Sequence, residues 1–319
     1  MWHEDESRVN EKMLAFYEAI ARGGVGLLIV EATTNDYPLG TRWRERYRMD
    51  DVKYIKGMSE LVNIIHKHGC PTFMAMDHYG NWQTQLPFVP EPLFDGPPVA
   101  PSPVCLKNEN DFHNDMPREL TIAEIEEIIY KFANAAVRGQ KAGFDGVDIN
   151  SASSHLLHSF LSPYWNRRTD EYGGSLENRT RLLRNIISEI KKRLGNDFPV
   201  SLIINGVEIG QAVGIDNAKC LTVEDSRGIA QLLEKAGADA IQVRSHWLGY
   251  HIAGYLTDVL FFPDPPVPTR EFPEGYDWHR RGAGANLPLA AGIKSLESIP
   301  VTSVGRLDPL IGEQALREG

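Results

Sequence analysis

Cysteine is scarce in this sequence, and the few cysteines form no motif. The three cysteines, Cys70, Cys105 and Cys220, lie far apart and include no CxxC pair. Neither a zinc site nor an iron–sulfur cluster is therefore expected, and no other metal site is predicted. A low and odd cysteine count favours a reducing compartment, so we expect the protein in the cytoplasm.

Positive charge and long apolar runs are also missing. The formal net charge is −10, and phosphate binding requires a basic surface, so nucleic acid is not an expected partner. No apolar run approaches the ~18 residues of a membrane-spanning helix, and the polar, acidic first residues do not resemble a signal peptide. No GxGxxG motif follows an apolar run, which disfavours a plain dinucleotide-binding fold. The expected partner is a small molecule.

One junction recurs along the chain. A helical stretch ends at glycine and an apolar run follows at once, over residues 21–31, 141–149 and 235–243, and at 68–69 before 71–76. Glycine suits the left-handed position just past a helix end. The apolar runs do not alternate with polar residues, so they predict strands buried on both faces of a parallel sheet.

The pattern predicts strands that alternate with amphipathic helices. Two of the helices begin at capping pairs, Thr121 with Glu124 and Thr222 with Asp225. The six predicted strands cover about residues 25–31, 71–77, 144–150, 199–205, 239–244 and 299–304. Regular alternation of this kind predicts an α/β fold of the (β/α)8 TIM-barrel class.

The ends of the chain modify this expectation. The sequence opens in a helix at about 10–22 and closes in another at about 308–318. Six strands leave two of the eight in a TIM barrel unassigned, one before and one after the chain, and these would be neighbours in the ring. We therefore expect residues 1–319 to form a single barrel domain, incomplete at both ends. The unfilled strand edges of such a barrel would favour a homo-oligomer.

Two long segments interrupt the alternation. Residues 79–120 and 245–281 are rich in proline and aromatic residues, and both follow predicted strands. They are therefore expected at the C-terminal face, where barrel enzymes carry their chemistry. Segments of this length and composition favour lids over an active site.

A resemblance rests on the stretch from Phe160 to Arg179, FLSPYWNRRTDEYGGSLENR. This stretch resembles the NADH:flavin oxidoreductase, or old yellow enzyme, family, which includes the barrel portions of dienoyl-CoA reductases and trimethylamine dehydrogenase. The double glycine and the residues around it are expected to be structural. Further matches lie at residues 23–26, 31–33, 98–102, 117–120, 132–149 and 304–306.

The resemblance implies a cofactor and a reaction. Members bind FMN at the C-terminal mouth of the barrel and pass hydride from NAD(P)H through the flavin to an activated alkene, such as an α,β-unsaturated carbonyl or thioester. The protein orients the flavin and supplies a proton. Ala32, Gly305 and Arg306 match positions that would contact FMN.

The family's strand-4 signature is altered here. Its usual form is V-E-I-H-x-A-H/N-G-Y-L, whereas residues 147–156 read VDINSASSHL. The two carbonyl-binding positions hold Asn150 and Ser153, which can still donate hydrogen bonds. His155 stands in place of the usual tyrosine proton donor, and imidazole can deliver a proton near neutral pH. We therefore predict Asn150 and Ser153 as substrate-binding residues and His155 as the catalytic acid.

Two usual flavin contacts are absent: Ala75 replaces a glutamine on the third strand, and Ile203 replaces an arginine on the fifth. His78, at a strand end, either contacts a ligand or caps its loop, and His246 or His251 could line the pocket. Three hypotheses stay open. The chain is an FMN-dependent alkene reductase, a flavin-dependent amine or C–N dehydrogenase, or a degenerate barrel that serves as a flavin-free subunit or binding module.

Overall fold

The computed structural model describes residues 8–41, 46–81, 93–105, 116–210, 214–247, 284, 286–305 and 307–318. Strands and helices alternate through these ranges. The strands are β1 (Leu28–Thr34), β2 (Tyr47–Arg48), β3 (Thr72–Asp77), β4 (Val99–Ala100), β5 (Arg118–Glu119), β6 (Gly146–Ser151), β7 (Val200–Ile209), β8 (Ala240–Trp247) and β9 (Val301–Ser303). The helices are α1 (Glu11–Arg22), α2 (Ile55–His66), α3 (Ile122–Ala142), α4 (Leu156–Leu161), α5 (Leu176–Arg179), α6 (Arg181–Leu194), α7 (Val223–Lys235), α8 (Leu287–Lys294) and α9 (Pro309–Glu318).

The strands form a seven-stranded sheet in the order β2-β1-β3-β6-β7-β8-β9, and β4 and β5 form a separate pair. β1 pairs in parallel with β2 and β3, β3 with β6, and β8 with β9. All six predicted strands are present, which confirms the α/β prediction. The two-residue β2 was not predicted, because two residues carry no periodicity.

The helices begin where the sequence predicted. Thr121 and Glu124 form a reciprocal capping box at α3, and Thr222 and Asp225 form another at α7. Gly143 ends α3 with φ of 102°, in the left-handed region that glycine adopts without a Cβ clash. These local signals fix the helix ends independently of tertiary packing.

The chain divides into two compact units, Met1–Asn150 with Asn185–Ser201, and Ser151–Arg184 with Leu202–Gly319. In the first unit, α2 and α3 pack together, and the apolar strand residues are fully buried, among them Val30, Met74, Met76, Val147 and Ile149. Each such side chain contributes roughly 1.5–3 kcal/mol when fully buried. The prediction of a single domain over 1–319 stays a prediction.

In the second unit, α8 packs on β8, β9 and α7. Ile229, Leu233, Ile241, Val243 and Leu289 are at most 2% exposed. Within the described ranges, no helix has both the length and the apolarity to cross a membrane.

The stretch that carries the resemblance is held by its own hydrogen bonds. The Arg168 Nε donates to the Asp170 Oδ1 at 3.0 Å, and the Tyr172 amide donates to the same oxygen at 3.0 Å. A Cβ on Gly173 would lie 2.2 Å from the Arg168 carbonyl oxygen, so only glycine fits there. The Arg179 Nη2 donates to the Asp225 Oδ1 at 2.7 Å, at the start of α7. These contacts agree with the structural role predicted for the double-glycine turn.

Two acidic side chains meet where α7 and the segment after α8 come together. The Ser298 amide donates to the Glu234 Oε1 at 3.2 Å, and the Glu297 side chain, from the preceding residue, is only 8% exposed. Burial, together with the hydrogen bond and charge of Glu234, raises the pKa of Glu297 from 4.5 to about 7. At pH values between 4.5 and about 7, the Glu297 carboxyl therefore holds a proton in the folded protein that it loses in the unfolded chain.

We expect Glu297 to make the protein less stable as the pH rises through this window. Its stabilising proton is fully present below pH 4.5 and lost as the pH rises through about 7. Glu297→Gln keeps a hydrogen-bond donor toward Glu234 and cannot ionise. The free energy of unfolding, measured with urea at several pH values, should therefore decline from pH 5 to 7 in the native protein and much less in the variant. Equal declines in both proteins would contradict the assignment.

Candidate active site

In the first unit, β1 is irregular at the position predicted to contact a cofactor. Val30 pairs with Met74 and Thr33 with Met76, so Glu31 and Ala32 lie opposite the single residue Ala75. An extra residue of this kind is a β-bulge, a feature common next to active sites. The half-buried Ala32 therefore lies where the backbone of β1 departs from regular pairing.

A buried ionic cluster follows β1 and β3. The Lys131 Nζ lies 2.9 Å from the Asp36 Oδ1, and the His78 Nε2 lies 3.4 Å from the Asp36 Oδ2. Burial raises the pKa of Asp36, but the hydrogen bonds and charges of His78 and Lys131 outweigh it, so the pKa lies below its usual value. The Gly80 amide donates to the His78 Nδ1 at 3.1 Å, so His78 does cap its loop.

Asn35 lies beside this cluster, directly after β1. It is 1% exposed, and neither its Nδ2 nor its Oδ1 has a hydrogen-bond partner within the described part of the chain. Buried amides are nearly always hydrogen-bonded, since an unmet donor or acceptor costs about 1–3 kcal/mol. The Asn35 amide is therefore suited to a ligand that offers both a donor and an acceptor.

Asn150, predicted to bind substrate, lies at the carboxyl end of β6 in the first unit. Its Nδ2 donates to the Asp77 Oδ1 at 3.4 Å, and the Arg46 Nη1 donates to the Asp77 Oδ2 at 3.3 Å. The Arg46 guanidinium also lies 4.3 Å from the centre of the Tyr79 ring. Asp77 thus orients the Asn150 amide from the neighbouring strand.

In the second unit, Ser153 and Ser154 form an unusual turn after β6. Both have φ of 58°, in the left-handed region, which costs a residue other than glycine about 1 kcal/mol or more. The Ser153 amide donates to the Asn205 Oδ1 at 3.4 Å, and the Arg244 Nη2 donates to the Ser153 Oγ. Strained backbone of this kind clusters at functional sites. The turn holds Ser153 between β7 and β8.

His155, predicted to be the catalytic acid, is the N-cap residue directly before α4. It is 3% exposed, its side chain makes no capping hydrogen bond to the helix, and its carbonyl accepts a hydrogen bond from the Ser159 Oγ at 3.0 Å. The backbone of His155 is therefore fixed by the helix, and its imidazole is not used to cap it.

A second buried pair supports this turn. The His158 Nε2 lies 2.7 Å from the Glu208 Oε1, with both side chains fully buried. Burial raises the pKa of Glu208, but hydrogen bonds from His158, Ser162 and the Leu221 amide outweigh it and lower the pKa. The His158 Nδ1 has no hydrogen-bond partner among the described residues, so the ring is held against Glu208 through Nε2. The Asn205 Nδ2 lies 3.3 Å from the same Nε2.

The predicted phosphate-binding segment is described only in part. Gly305 has φ of 114°, a conformation that favours glycine. The Asn286 Nδ2 donates to the Val304 carbonyl at 2.7 Å and the Ser245 Oγ donates to the Asn286 Oδ1 at 2.7 Å. Arg306, His251 and the side chain of His246 lie outside the described residues. Residues 248–281, which make up most of the predicted lid at 245–281, also lie outside the described residues.

Several of these residues were missed from sequence alone. Arg244 and Glu208 are charged residues inside apolar strands, and such residues are almost never fully buried unless they are paired. A charged residue within a predicted buried strand was therefore the sequence signal that could have identified Arg244 and Glu208. Asp36 and Lys131 are 95 residues apart, and no local pattern connects them.

The Asn35 amide fits FMN, although this residue is not one of the family's usual flavin contacts. The flavin ring edge offers an N–H between two carbonyl oxygens, which an amide such as Asn35 matches with both its donor and its acceptor. Ala75 and Ile203 offer no side-chain polar atom. No cluster of three or more His, Cys, Asp or Glu residues suited to a metal occurs in the part of the chain described.

Comparison with known proteins decides the family. Residues 1–208 match the model of the NADH:flavin oxidoreductase / NADH oxidase family. The chain belongs to this family. Its members are oxidoreductases that bind FMN and use NAD(P)H, so the resemblance predicted from residues 160–179 is confirmed.

One relative and two structures illustrate the match. An NADH oxidase of Thermoanaerobacter brockii is 37% identical over 316 residues, which are 99% of this chain and 43% of that protein. A 2-naphthoyl-CoA reductase complex superposes with a TM-score of 0.79 at 23% identity, over 98% of this chain and 44% of its own. An old yellow enzyme homologue from Zymomonas mobilis superposes with a TM-score of 0.74 at 21% identity, over 99% of this chain and 79% of that chain. The last two establish the fold, which confirms the TIM-barrel class. The chain spans less than half the length of the Thermoanaerobacter relative.

We expect the loss of His158 alone to destabilise the protein strongly, because it leaves the buried Glu208 carboxylate without its partner. His158→Phe has a similar volume but leaves the Glu208 carboxylate without its imidazole donor, which costs about 3–5 kcal/mol. His68→Phe is the matched control, because His68 pairs with Glu18 at 3.1 Å near the surface and should lose at most about 1 kcal/mol. Urea unfolding followed by circular dichroism measures both. Similar losses in the two variants would show that Glu208 does not depend on His158.

Proposed function

We propose that this chain is the flavin-binding barrel of an FMN-dependent oxidoreductase that uses NAD(P)H to reduce an activated alkene, an α,β-unsaturated carbonyl or thioester. The observation that supports the proposal is the left-handed backbone of Ser153 and Ser154, a conformation typical of functional sites, within the segment that resembles the family signature. Membership of the flavin family supports the cofactor. The cytoplasmic location and the homo-oligomeric state of the protein remain predictions.

Four positions are proposed to hold FMN. Ala32 would approach it through the backbone at the β-bulge, and Asn35 would pair with the polar edge of the ring. Gly305 and Arg306 would bind the phosphate, since a guanidinium suits its bidentate geometry. FMN, when bound, supplies the hydride chemistry.

Substrate orientation is assigned to Ser153 and Asn150. The Ser153 Oγ accepts a hydrogen bond from Arg244, so its own proton is directed to another acceptor, and the guanidinium makes that hydroxyl a stronger donor. The Asn150 amide, oriented by Asp77, carries two N–H groups. Each is proposed as a substrate-binding residue that donates a hydrogen bond, and His155 is proposed to deliver the proton to the alkene carbon.

The cofactor proposal is tested by the visible spectrum. Purified protein, incubated with FMN and freed of excess by gel filtration, should be yellow and absorb near ~450 nm. Asn35→Ala should raise the dissociation constant for FMN about 10-fold, the effect of one hydrogen bond, whereas Asn63→Ala, a substitution on α2, serves as the matched control. Colourless native protein would favour the flavin-free subunit instead.

The role of His155 is tested by separating the two half-reactions. His155→Phe should slow reduction of 2-cyclohexenone by the FMN-loaded protein about 10²–10⁴-fold, because the general acid is lost. His155→Tyr should retain more of this rate, since a phenol can donate a proton. Bleaching of the flavin by NAD(P)H, followed by stopped flow, should be unchanged in both variants.

Equal slowing of both half-reactions would contradict a role in proton delivery. Oxidation of amines with no reduction of unsaturated carbonyls would favour the C–N dehydrogenase.

A further inference from the structure

A cavity lined by positively charged side chains lies in the first unit, between the residues that precede α1 and the first turn of α2. Its volume is about 460 Å³, and Arg8, Lys53 and Lys56 line it together with one acidic residue, Glu60. Three positive and one negative side chain give the lining a net charge of +2. This local excess contrasts with the formal net charge of −10 for the whole chain.

The three cations have no acidic partner within the described part of the chain. Neither Arg8 nor Lys56 forms an ion pair there. The Lys53 Nζ lies 5.2 Å from the centre of the Tyr54 ring, a cation–π contact that leaves its N–H donors available. Isolated surface lysines are ordinarily solvated, but these cations converge on one cavity, so they can bind one anion together.

The acidic residues that precede the cavity in sequence are engaged elsewhere. Asp50 accepts two hydrogen bonds from the Arg48 guanidinium, at 2.9 and 2.7 Å. Asp51 accepts from the Lys53 amide at 2.9 Å and so caps the short helical turn before α2. Both carboxylates therefore serve other groups.

The local sequence of α2 also favours an anion from outside the chain. The positive end of a helix dipole lies at its N-terminus, where acidic side chains are stabilising and cations are not. The first turn of α2 contains no acidic residue and carries Lys56 instead. A bound anion would lie between the cavity's cations and this end of the helix, and it would relieve their repulsion.

A phosphate monoester matches the cavity in charge and in size. Such a group carries about −1.5 to −2 charges at pH 7 and three strong acceptor oxygens, which balances the lining. The Arg8 guanidinium suits two of these oxygens. Small-molecule sites span roughly 300–1,000 Å³, so a cavity of about 460 Å³ has room for an organic group as well. Val9 and Met58 supply apolar lining for that part.

The cavity is separate from the proposed flavin and substrate positions, although one contact chain connects it to them. None of the residues proposed for FMN or substrate lines it. Tyr54, in its wall, lies 4.9 Å from the Arg48 guanidinium, which is 3.4 Å from the centre of the Tyr37 ring. Tyr37 is two residues beyond Asn35, so the cavity lies beside the segment proposed to contact the flavin.

We infer that this cavity is a second ligand site, which binds the phosphate group of a small phosphorylated molecule through Arg8, Lys53 and Lys56. The inference does not depend on the proposed function, because the residues that carry it belong to the starts of α1 and α2.

The test compares AMP with adenosine, the same molecule without its phosphate. Isothermal titration calorimetry on the FMN-loaded protein, in a phosphate-free buffer of low ionic strength, measures both affinities. AMP should bind at least ~10-fold more tightly than adenosine, because the charge-assisted hydrogen bonds need the phosphate. Inorganic phosphate should compete with AMP, and added salt should weaken AMP binding.

Matched variants assign the binding to the cavity. Arg8→Gln and Lys56→Gln should each weaken AMP binding about 10-fold, the effect of one charge-assisted hydrogen bond, and leave adenosine unchanged. Both side chains are exposed, so the variants should fold. Lys192→Gln is the control: its side chain is 75% exposed in the same unit, and the substitution removes one positive charge elsewhere. It should change neither affinity.

Four outcomes would overturn the inference. One is equal affinity for AMP and adenosine, or no binding of AMP and phosphate at all. Another is AMP binding that neither Arg8→Gln nor Lys56→Gln weakens. The third is release of FMN by AMP, seen as loss of bound absorbance near ~450 nm, which would assign the phosphate to the flavin site. The fourth is AMP binding that appears only after Glu4→Gln, Asp5→Asn and Glu6→Gln are combined, which would assign the cations to the chain's own acidic residues.

The two proposals fail separately. If native protein takes up no FMN, the proposed function fails, whereas the same titrations on the flavin-free protein still decide the phosphate site.

Discussion

Parallel strand pairing is the constraint from which the rest of the structure follows. In the first unit, β1, β2, β3 and β6 run parallel, and in the second, β8 and β9 do. The carboxyl ends of parallel strands lie at one edge, so residues far apart in sequence become neighbours there. Apolar side chains fill the strands, and polar residues begin where the strands end, at Asn35, His78 and Asn150. In a fold of this kind, that edge is where ligands bind.

The buried charges at these ends are difficult to explain by stability alone. Replacing a buried ion pair with apolar residues is often neutral or stabilising, because desolvation offsets the attraction of the two charges. The pairs Asp36–Lys131 and His158–Glu208 nevertheless lie close to the functional positions. We interpret them as supports, since each fixes a segment that carries a candidate residue. His158, for example, lies on α4, whose N-cap residue is His155, and the Asn205 Nδ2 is 3.3 Å from its ring.

The sequence was sufficient for the fold because the signals of the fold are local. Capping boxes, glycines after helices and unbroken apolar runs each lie within about a dozen residues, and they located every long strand. The site depends on contacts that no local pattern contains. Ser153 and Arg244 are 91 residues apart, and Asn150 and Asp77 are 73 apart. The resemblance over 160–179 gave the family, yet the contacts described within that stretch serve the turn and α5. It therefore could not reveal which residues replace the missing glutamine and arginine.

Buried polar groups at the strand ends are positioned to bind ligands, and Asn35 is the clearest instance. A crystal structure of the protein with FMN tests this most directly. We expect the edge of the isoalloxazine ring to lie at hydrogen-bond distance, about 3 Å, from the Asn35 amide. An Asn35 amide satisfied by protein atoms alone, with FMN bound away from the carboxyl end of β1, would contradict it.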